Sequence, residues 1–257
     1  MGKLNSEKTV YEVIRVINSV PLFLEDHFFR LLKSVEIQDI AFEMEYPEFK
    51  LKSSELINSN NYREGNIKFM YSVAGTESRW TFDYIPHNYP TTADYQDGVN
   101  TGLLYAERDN PNAKVIQSKL RDQADQMITD QKLYEVLLAD QHGRITEGSR
   151  SNVFFVRGEV FYTAHESKIL VGITRQKVIE CLKNLNFQLV EEAVKEDEIN
   201  RFDAVFLTGT SPKVLPVRSI GDQEFSTRHD GVVKLMEAYN QMITHYIQNE
   251  KGFTKNH

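Results

Sequence analysis

Apolar and polar residues alternate through residues 9–17 (TVYEVIRVI) and an apolar run follows in 20–24 (VPLFL), which predicts two strands around a turn at Asn18 and Ser19. Residues 26–42 then switch to a helical period, with Asp26 as the expected N-cap and Phe28, Leu31, Leu32 and Val35 as the buried stripe. Residues 66–75 and 79–86 read as a hairpin, and 98–107 as a further strand. The stretch RDNPNAK (108–114) is polar, turn-forming and carries a proline, so it is the expected linker. Beyond it, 119–133 reads as a helix, 134–140 and 144–148 as strands around a turn, and 151–164 as a hairpin about Arg157 and Gly158. Residues 174–186 predict an amphipathic helix with Val178, Ile179, Leu182 and Leu185 inward. Strands at 187–194, 204–210 and 213–220 and a closing helix at 230–249 complete the chain.

This mixture predicts an α/β (α+β) protein of two lobes. A smaller amino-terminal α/β domain (1–108) is joined by a linker (109–113) to a larger carboxy-terminal domain (114–257). A length of 257 residues with 40% hydrophobic content is enough to bury sizeable cores. The net charge of −7 argues against nucleic acid as a partner. No stretch approaches the ~20 apolar residues of a membrane span, and the first residues lack the apolar segment of a signal peptide, so the cytoplasm is the expected location. Met1, Gly2 and Ser6 formally fit a myristoylation pattern, a match that chance explains. The single Cys181 excludes an internal disulfide and any multi-cysteine metal cluster, and no metal site is expected.

Three stretches carry candidate chemistry. ITEGSRSNVFFV (145–156) surrounds one carboxylate, Glu147, with small polar residues just before an apolar strand. In ILVGITRQKV (169–178), Gly172 precedes a helix whose first amides, on Ile173 and Thr174, suit an anion. FLTGTSPKV (206–214) ends a strand in Gly209, Thr210 and Ser211, small donors at a turn. Each alone is more often an ordinary turn or loop.

In this order the stretches, with Thr163 between the first two, resemble the signature of the class IV (fold type IV) aminotransferases. The resemblance extends to VYEVIRV and to the His27-x-x-Arg30 helix on one side and to TGTSPKVLPV on the other. It implies a two-lobed fold type IV enzyme, the larger lobe a mixed-sheet pseudo-barrel, that binds pyridoxal 5'-phosphate as a lysine Schiff base. It implies Lys114 as that lysine; the alternative, Lys119, falls in the predicted helix. It assigns Glu147 to the ring nitrogen, Arg30, Ile173, Thr174 and Thr210 to the phosphate, and Leu170 to the ring face. The small residues after Glu147 are then expected to let the backbone pass close to the flat ring. His27 is expected to be structural. Arg79 and Ser211 are candidate substrate contacts, although the histidine that partners the arginine in the D-amino-acid enzyme is Thr81 here.

The resemblance also implies a homodimer acting on an amino acid and a 2-oxo acid. By the same resemblance the family's aminodeoxychorismate lyase has a threonine at the position of Val13, whose side chain cannot hydrogen-bond a substrate, which favours transamination. The lyase reaction and a catalytically silent cofactor-binding protein remain the alternatives. Part of the family's amino-terminal strand segment is missing, so no pocket residue is assigned there.

Overall fold

The computed structural model describes residues 7–59, 63–108 and 110–254. The Met1, Gly2 and Ser6 pattern and Asp109 of the expected linker lie outside the described residues. The chain divides into two compact units. Unit 1 takes Met1–Asn88, Ala113–Ile116 and Met242–His257; unit 2 takes Tyr89–Asn112 and Gln117–Gln241.

Unit 1 is built on β1 (Lys8–Ile17), β2 (Val20–Pro21), α1 (Leu24–Ile37), α2 (Tyr46–Ser59), β3 (Glu64–Ala74) and β4 (Glu77–Ile85). The strands form one antiparallel sheet in the order β2-β1-β3-β4, with β1 paired to β3 from Lys8↔Val73 to Ile17↔Glu64. The two-residue period places Val10, Ile14 and Val16 in the core beside Phe28, Leu31 and Val35 of α1, Phe49 and Ile57 of α2 and Phe69 of β3. Glu12 occupies the same inward row and is fully buried.

Three local expectations change. Helix α1 starts at Leu24 from a left-handed Phe23, so Asp26 lies in its first turn instead of capping it. Leu32 is off the buried stripe and is 37% exposed. Helix α2 was not predicted, because Ser53 interrupts its inward row of Phe49 and Ile57. Ser53 is tolerated there since its Oγ donates back to the Lys50 carbonyl (2.8 Å), and Pro47 lies in the first turn, where a missing N–H does no harm.

Unit 2 contains α3 (Thr92–Asp97), β5 (Val99–Tyr105), α4 (Ser118–Gln131), β6 (Glu135–Ala139), β7 (Arg144–Gly148), β8 (Asn152–Arg157), β9 (Val160–Thr163), α5 (Ile173–Asn184), β10 (Gln188–Glu191), β11 (Val194–Lys195), β12 (Ala204–Gly209), β13 (Lys213–Ile220) and β14 (Gln223–Glu224). Its mixed sheet runs β10-β9-β8-β12-β13-β5-β6-β7-β11, with β14 beside β13. Val153, Phe155, Val205, Leu207, Leu215 and Val217 face one core. On the other face Phe154 stacks on Phe206, with centroids 5.0 Å apart and planes 4° apart, and α5 packs on β12. Burial on both faces explains why NVFFV is a continuous apolar run without alternation.

The compact units divide the chain differently from the expected boundary. Residues 89–108 belong with unit 2 because β5 pairs in parallel with both β6 and β13. Residues 113–116 belong with unit 1 because Val115 bridges Val10, Lys114 N–H donates to Ser34 Oγ (3.1 Å) and the Lys114 carbonyl accepts from Tyr11 N–H (3.2 Å). The last helix, α6 (Asp230–Thr254), begins in unit 2 and ends in unit 1. There Leu24 N–H donates to the Tyr246 hydroxyl (3.3 Å), whose ring lies 4.9 Å from that of Phe23. Among the described residues no helix is long and apolar enough to cross a membrane, and no group of three His, Cys, Asp or Glu is placed to hold a metal ion.

Candidate functional site

In unit 1, Glu12 is the centre of a buried ionic cluster. Its Oε1 accepts from Arg30 Nε (2.8 Å), and its Oε2 accepts from Arg30 Nη2 (2.5 Å) and His27 Nδ1 (2.7 Å). Burial alone would raise the carboxyl pKa, but the charge and hydrogen bonds of Arg30, with those of His27, bring it down to about 2. His27 moves down from its ordinary value because burial outweighs the attraction of Glu12, and the charges of Arg30 and Lys114 push the same way. Two of the three guanidinium nitrogens of Arg30 are therefore committed to Glu12. His27 is buried and spends its Nδ1 on the partner side chain Glu12.

Lys114 lies at the centre of a tight turn closed by Val115 N–H on the Ala113 carbonyl (3.0 Å), its backbone is pinned to β1 and α1, and its Nζ stands 4.8 Å from the centre of the Tyr11 ring. Lys119 lies in the first turn of α4 and faces solvent. Arg79 projects from β4 with 76% of its side chain exposed and its guanidinium on Glu7 (2.6 Å). The structure does not gather it with Arg30 and Lys114.

In unit 2, Glu147 is buried near the end of β7. A regular strand would put Glu147 on the same face as core residue Ile145. Here Ile145 opposes Ala139 while Glu147 opposes Leu138, so Thr146 is an extra residue, a β-bulge. Opposed residues share a face, and the bulge therefore turns Glu147 away from the Ile145 and Leu137 core. Its carboxylate accepts from Arg108 Nε (2.8 Å) and from Leu170 N–H (3.3 Å). Arg108 Nη2 also donates to the Ser149 carbonyl (2.5 Å). Arg108 was missed in the sequence, where it reads as one more charge at the start of a polar linker.

Beyond Leu170 the chain enters α5, with Gly172 as N-cap and no side-chain cap on the first amides, those of Ile173 and Thr174. A side chain at Gly172 would place its Cβ 2.3 Å from Asn152 Oδ1, while Asn152 Nδ2 donates to the Leu170 carbonyl (2.9 Å). Any larger residue there would have to displace the Asn152 side chain from its bond to the Leu170 carbonyl. Asn152 opposes Thr208 on β12, whose next residues are Gly209, Thr210 and Ser211, the last two half-buried in the turn. Thr208 Oγ1 is buried without a hydrogen-bond partner among the described residues.

These groups fit pyridoxal phosphate on their own chemistry. Uncapped amides at the start of a twelve-residue helix and an unpaired buried hydroxyl suit a phosphate. A buried carboxylate with donors on it suits a positively charged ring nitrogen. The turn after Glu147 is also tight for a reason of its own. A Cβ at Gly148 would meet Ser151 Oγ of the turn and, at 3.1 Å, Glu135 Oε2 of β6, so a larger residue does not fit there.

Residues 9–220 match the family model for amino-transferase class IV. A probable branched-chain-amino-acid aminotransferase of Rickettsia conorii is 28% identical over 93% of this chain and 88% of its own. The D-alanine aminotransferase of Bacillus licheniformis is 30% identical over 86% of this chain and 82% of its own. In fold, a putative 4-amino-4-deoxychorismate lyase of Legionella pneumophila matches with a TM-score of 0.83 and 23% identity, covering 91% of this chain and 90% of the other. With the match running from β1 to the end of β13, the chain belongs to the class IV aminotransferases, which use pyridoxal 5'-phosphate to transfer an amino group between an amino acid and a 2-oxo acid.

Proposed function

We propose that Lys114 attaches the cofactor, that Glu147 faces its ring nitrogen, and that Ile173, Thr174 and Thr210 hold its phosphate with added positive charge from Arg30. The observation that carries this reading is the burial of Glu147 on a bulged strand with donors converging on it. A buried carboxylate held in one orientation by fixed donors is suited to keep a positive charge in one place. When bound, pyridoxal phosphate supplies a ring that draws electrons from the α-carbon of an attached amino acid. The Glu147 carboxylate stabilises positive charge at the ring nitrogen. Once a substrate amine took its place on the cofactor, the freed Lys114 Nζ would be the base that accepts the α-proton and later gives it back. Glu12 holds Arg30 in one orientation, and Leu170 lines the ring.

Val13 cannot hydrogen-bond a substrate, which favours transamination over the lyase reaction. The names of the two relatives favour a branched-chain or D-configured amino acid as donor. Ser211 remains a candidate substrate contact at the β12–β13 turn, whereas the exposed Arg79 is left outside the site. We also place the enzyme in the cytoplasm as a homodimer. Phe29 and Leu32, one turn apart and exposed on α1, support self-association, which light scattering measures.

The function is tested by mixing purified, cofactor-loaded protein with L- and D-amino acids and identifying the 2-oxo acid formed. Glu147→Gln should keep the cofactor and lower kcat by about a hundredfold or more, because a neutral amide no longer stabilises the charged ring. Borohydride reduction and peptide mapping should find the cofactor on Lys114, with Lys119→Ala unaffected. Near-normal turnover in Glu147→Gln, or label on Lys119, refutes the corresponding assignment.

A further inference from the structure

Glu135 stands at the head of β6, 4% exposed, and takes part in none of the roles above. Its Oε1 accepts from Ser149 Oγ (2.7 Å) and Val136 N–H (3.0 Å), and its Oε2 from Ser151 Oγ (3.0 Å) and Arg150 N–H (3.1 Å). Four donors fill the acceptor sites of one carboxylate, and three of them come from the turn directly after Glu147. The same turn is closed by Ser149 N–H on the Val136 carbonyl (2.9 Å) and by Gly148 N–H on the Ser151 carbonyl (2.8 Å).

A continuous hydrogen-bonded path leads from this carboxylate to the other. Ser149 is bound through its hydroxyl to Glu135 and through its carbonyl to Arg108 Nη2, and the Nε of that guanidinium holds Glu147 Oε1. If the turn only had to close, its hydroxyls and amides could face water. Instead they converge on a charge taken out of water, an arrangement that makes the turn rigid in one geometry.

We propose that Glu135 is a positioning residue for the aminotransferase reaction, acting through Ser149 and Arg108 to fix where the Glu147 carboxylate points. This rests on the reading of Glu147 as the ring-nitrogen partner. Glu135 touches neither cofactor nor substrate. It sets the direction and distance of a charge–charge contact, where a displacement of about 1 Å can change rates by up to a hundredfold.

The test is a double-mutant cycle on the full-length enzyme. Wild type, Glu135→Gln, Glu147→Gln and the double variant are compared by kcat, amino-acid KM and the pH midpoint of the bound cofactor's absorbance. Glu135→Gln keeps the size of the side chain but turns an amide NH2 toward donors. We expect kcat to fall about tenfold or more, KM to stay within about twofold, and the midpoint to move in the same direction as in Glu147→Gln. The double variant should be no slower than Glu147→Gln alone.

Wild-type kcat and midpoint in Glu135→Gln, or a double variant in which the two losses multiply in full, overturns the proposal. No effect of Glu147→Gln itself overturns the underlying assignment of Glu147, which is a distinguishable result. If Glu135→Gln does not fold, Ser149→Ala cuts the same path at one hydroxyl and is run through the same cycle, with the same two outcomes deciding.

Discussion

Glu12→Gln removes one charge from the buried cluster of unit 1 and leaves Arg30 against a neutral amide. The carboxyl pKa is about 2 in the folded protein against an ordinary value of 4.5. At about 1.4 kcal/mol per unit, that difference is worth roughly 3 kcal/mol of stability near neutral pH. Breaking a buried pair by removing one partner gives a similar figure, about 3–5 kcal/mol. The sign follows from linkage. The folded pKa is depressed, so the stabilisation is fully present above 4.5 and is lost as pH falls from 4.5 towards 2. Trp80 is the only tryptophan in the chain and stacks on Phe69 in unit 1, centroids 6.2 Å apart, so its fluorescence follows this unit. With a urea slope of about 2 kcal/mol/M, the midpoint of Glu12→Gln at pH 7 should drop by about 1.5 M. The gap between wild type and variant should narrow below pH 4.5. A gap under about 1 kcal/mol at pH 7, or one that does not narrow in acid, would refute the electrostatic account.

Three further outcomes follow from the same geometry. His27 has a lowered pKa because it is buried, so the unfolded chain binds a proton that the folded one refuses once pH falls below 6.5, and stability declines there; His27→Gln should flatten the slope of urea midpoint against pH between about 6.5 and 5. Gly172→Ala places a Cβ 2.3 Å from Asn152 Oδ1, and overpacking of about 1–3 kcal/mol should weaken cofactor binding about tenfold, read by titrating the apoprotein. Phe206→Ala removes a ring stacked on Phe154 in a fully buried layer and should cost about 3–5 kcal/mol in urea unfolding, with unchanged stability counting against the packing described.

Helix α5, with Gly172 at its start, and the β8–β9 hairpin about Gly158 were legible because each rests on a local signal, a glycine beside a clean period. What stayed hidden depends on partners distant in sequence. Ser53 breaks the apolar pattern of α2 and is acceptable only because its hydroxyl has a carbonyl to bond. Thr146 gives no sign that it is an extra residue, yet the bulge it makes decides which way Glu147 faces. Arg30 was legible as a special arginine, but its main partner, Glu12, lies across the sheet and helix. Glu12 did carry a signal, a carboxylate at an inward position of an otherwise apolar row. The same signal marks Glu135, an acid heading the fully buried strand EVLLA.

The Leu24–Tyr246 hydrogen bond joins residues 222 positions apart, and Ile243 and Ile247 of the same helix are buried as well. On the ribosome, the unit that is translated first is therefore the last to be finished. Its sheet can pair once β4 has emerged, but the residues that cover Phe23 and Leu24 arrive only with the final turns of α6. Long-range closure of this kind slows folding and leaves apolar surface open to chaperones in the meantime. Nascent chains stalled after residue 229 should thus present a protease-sensitive unit 1, and equal resistance in stalled and released chains would show that unit 1 closes without its last segment.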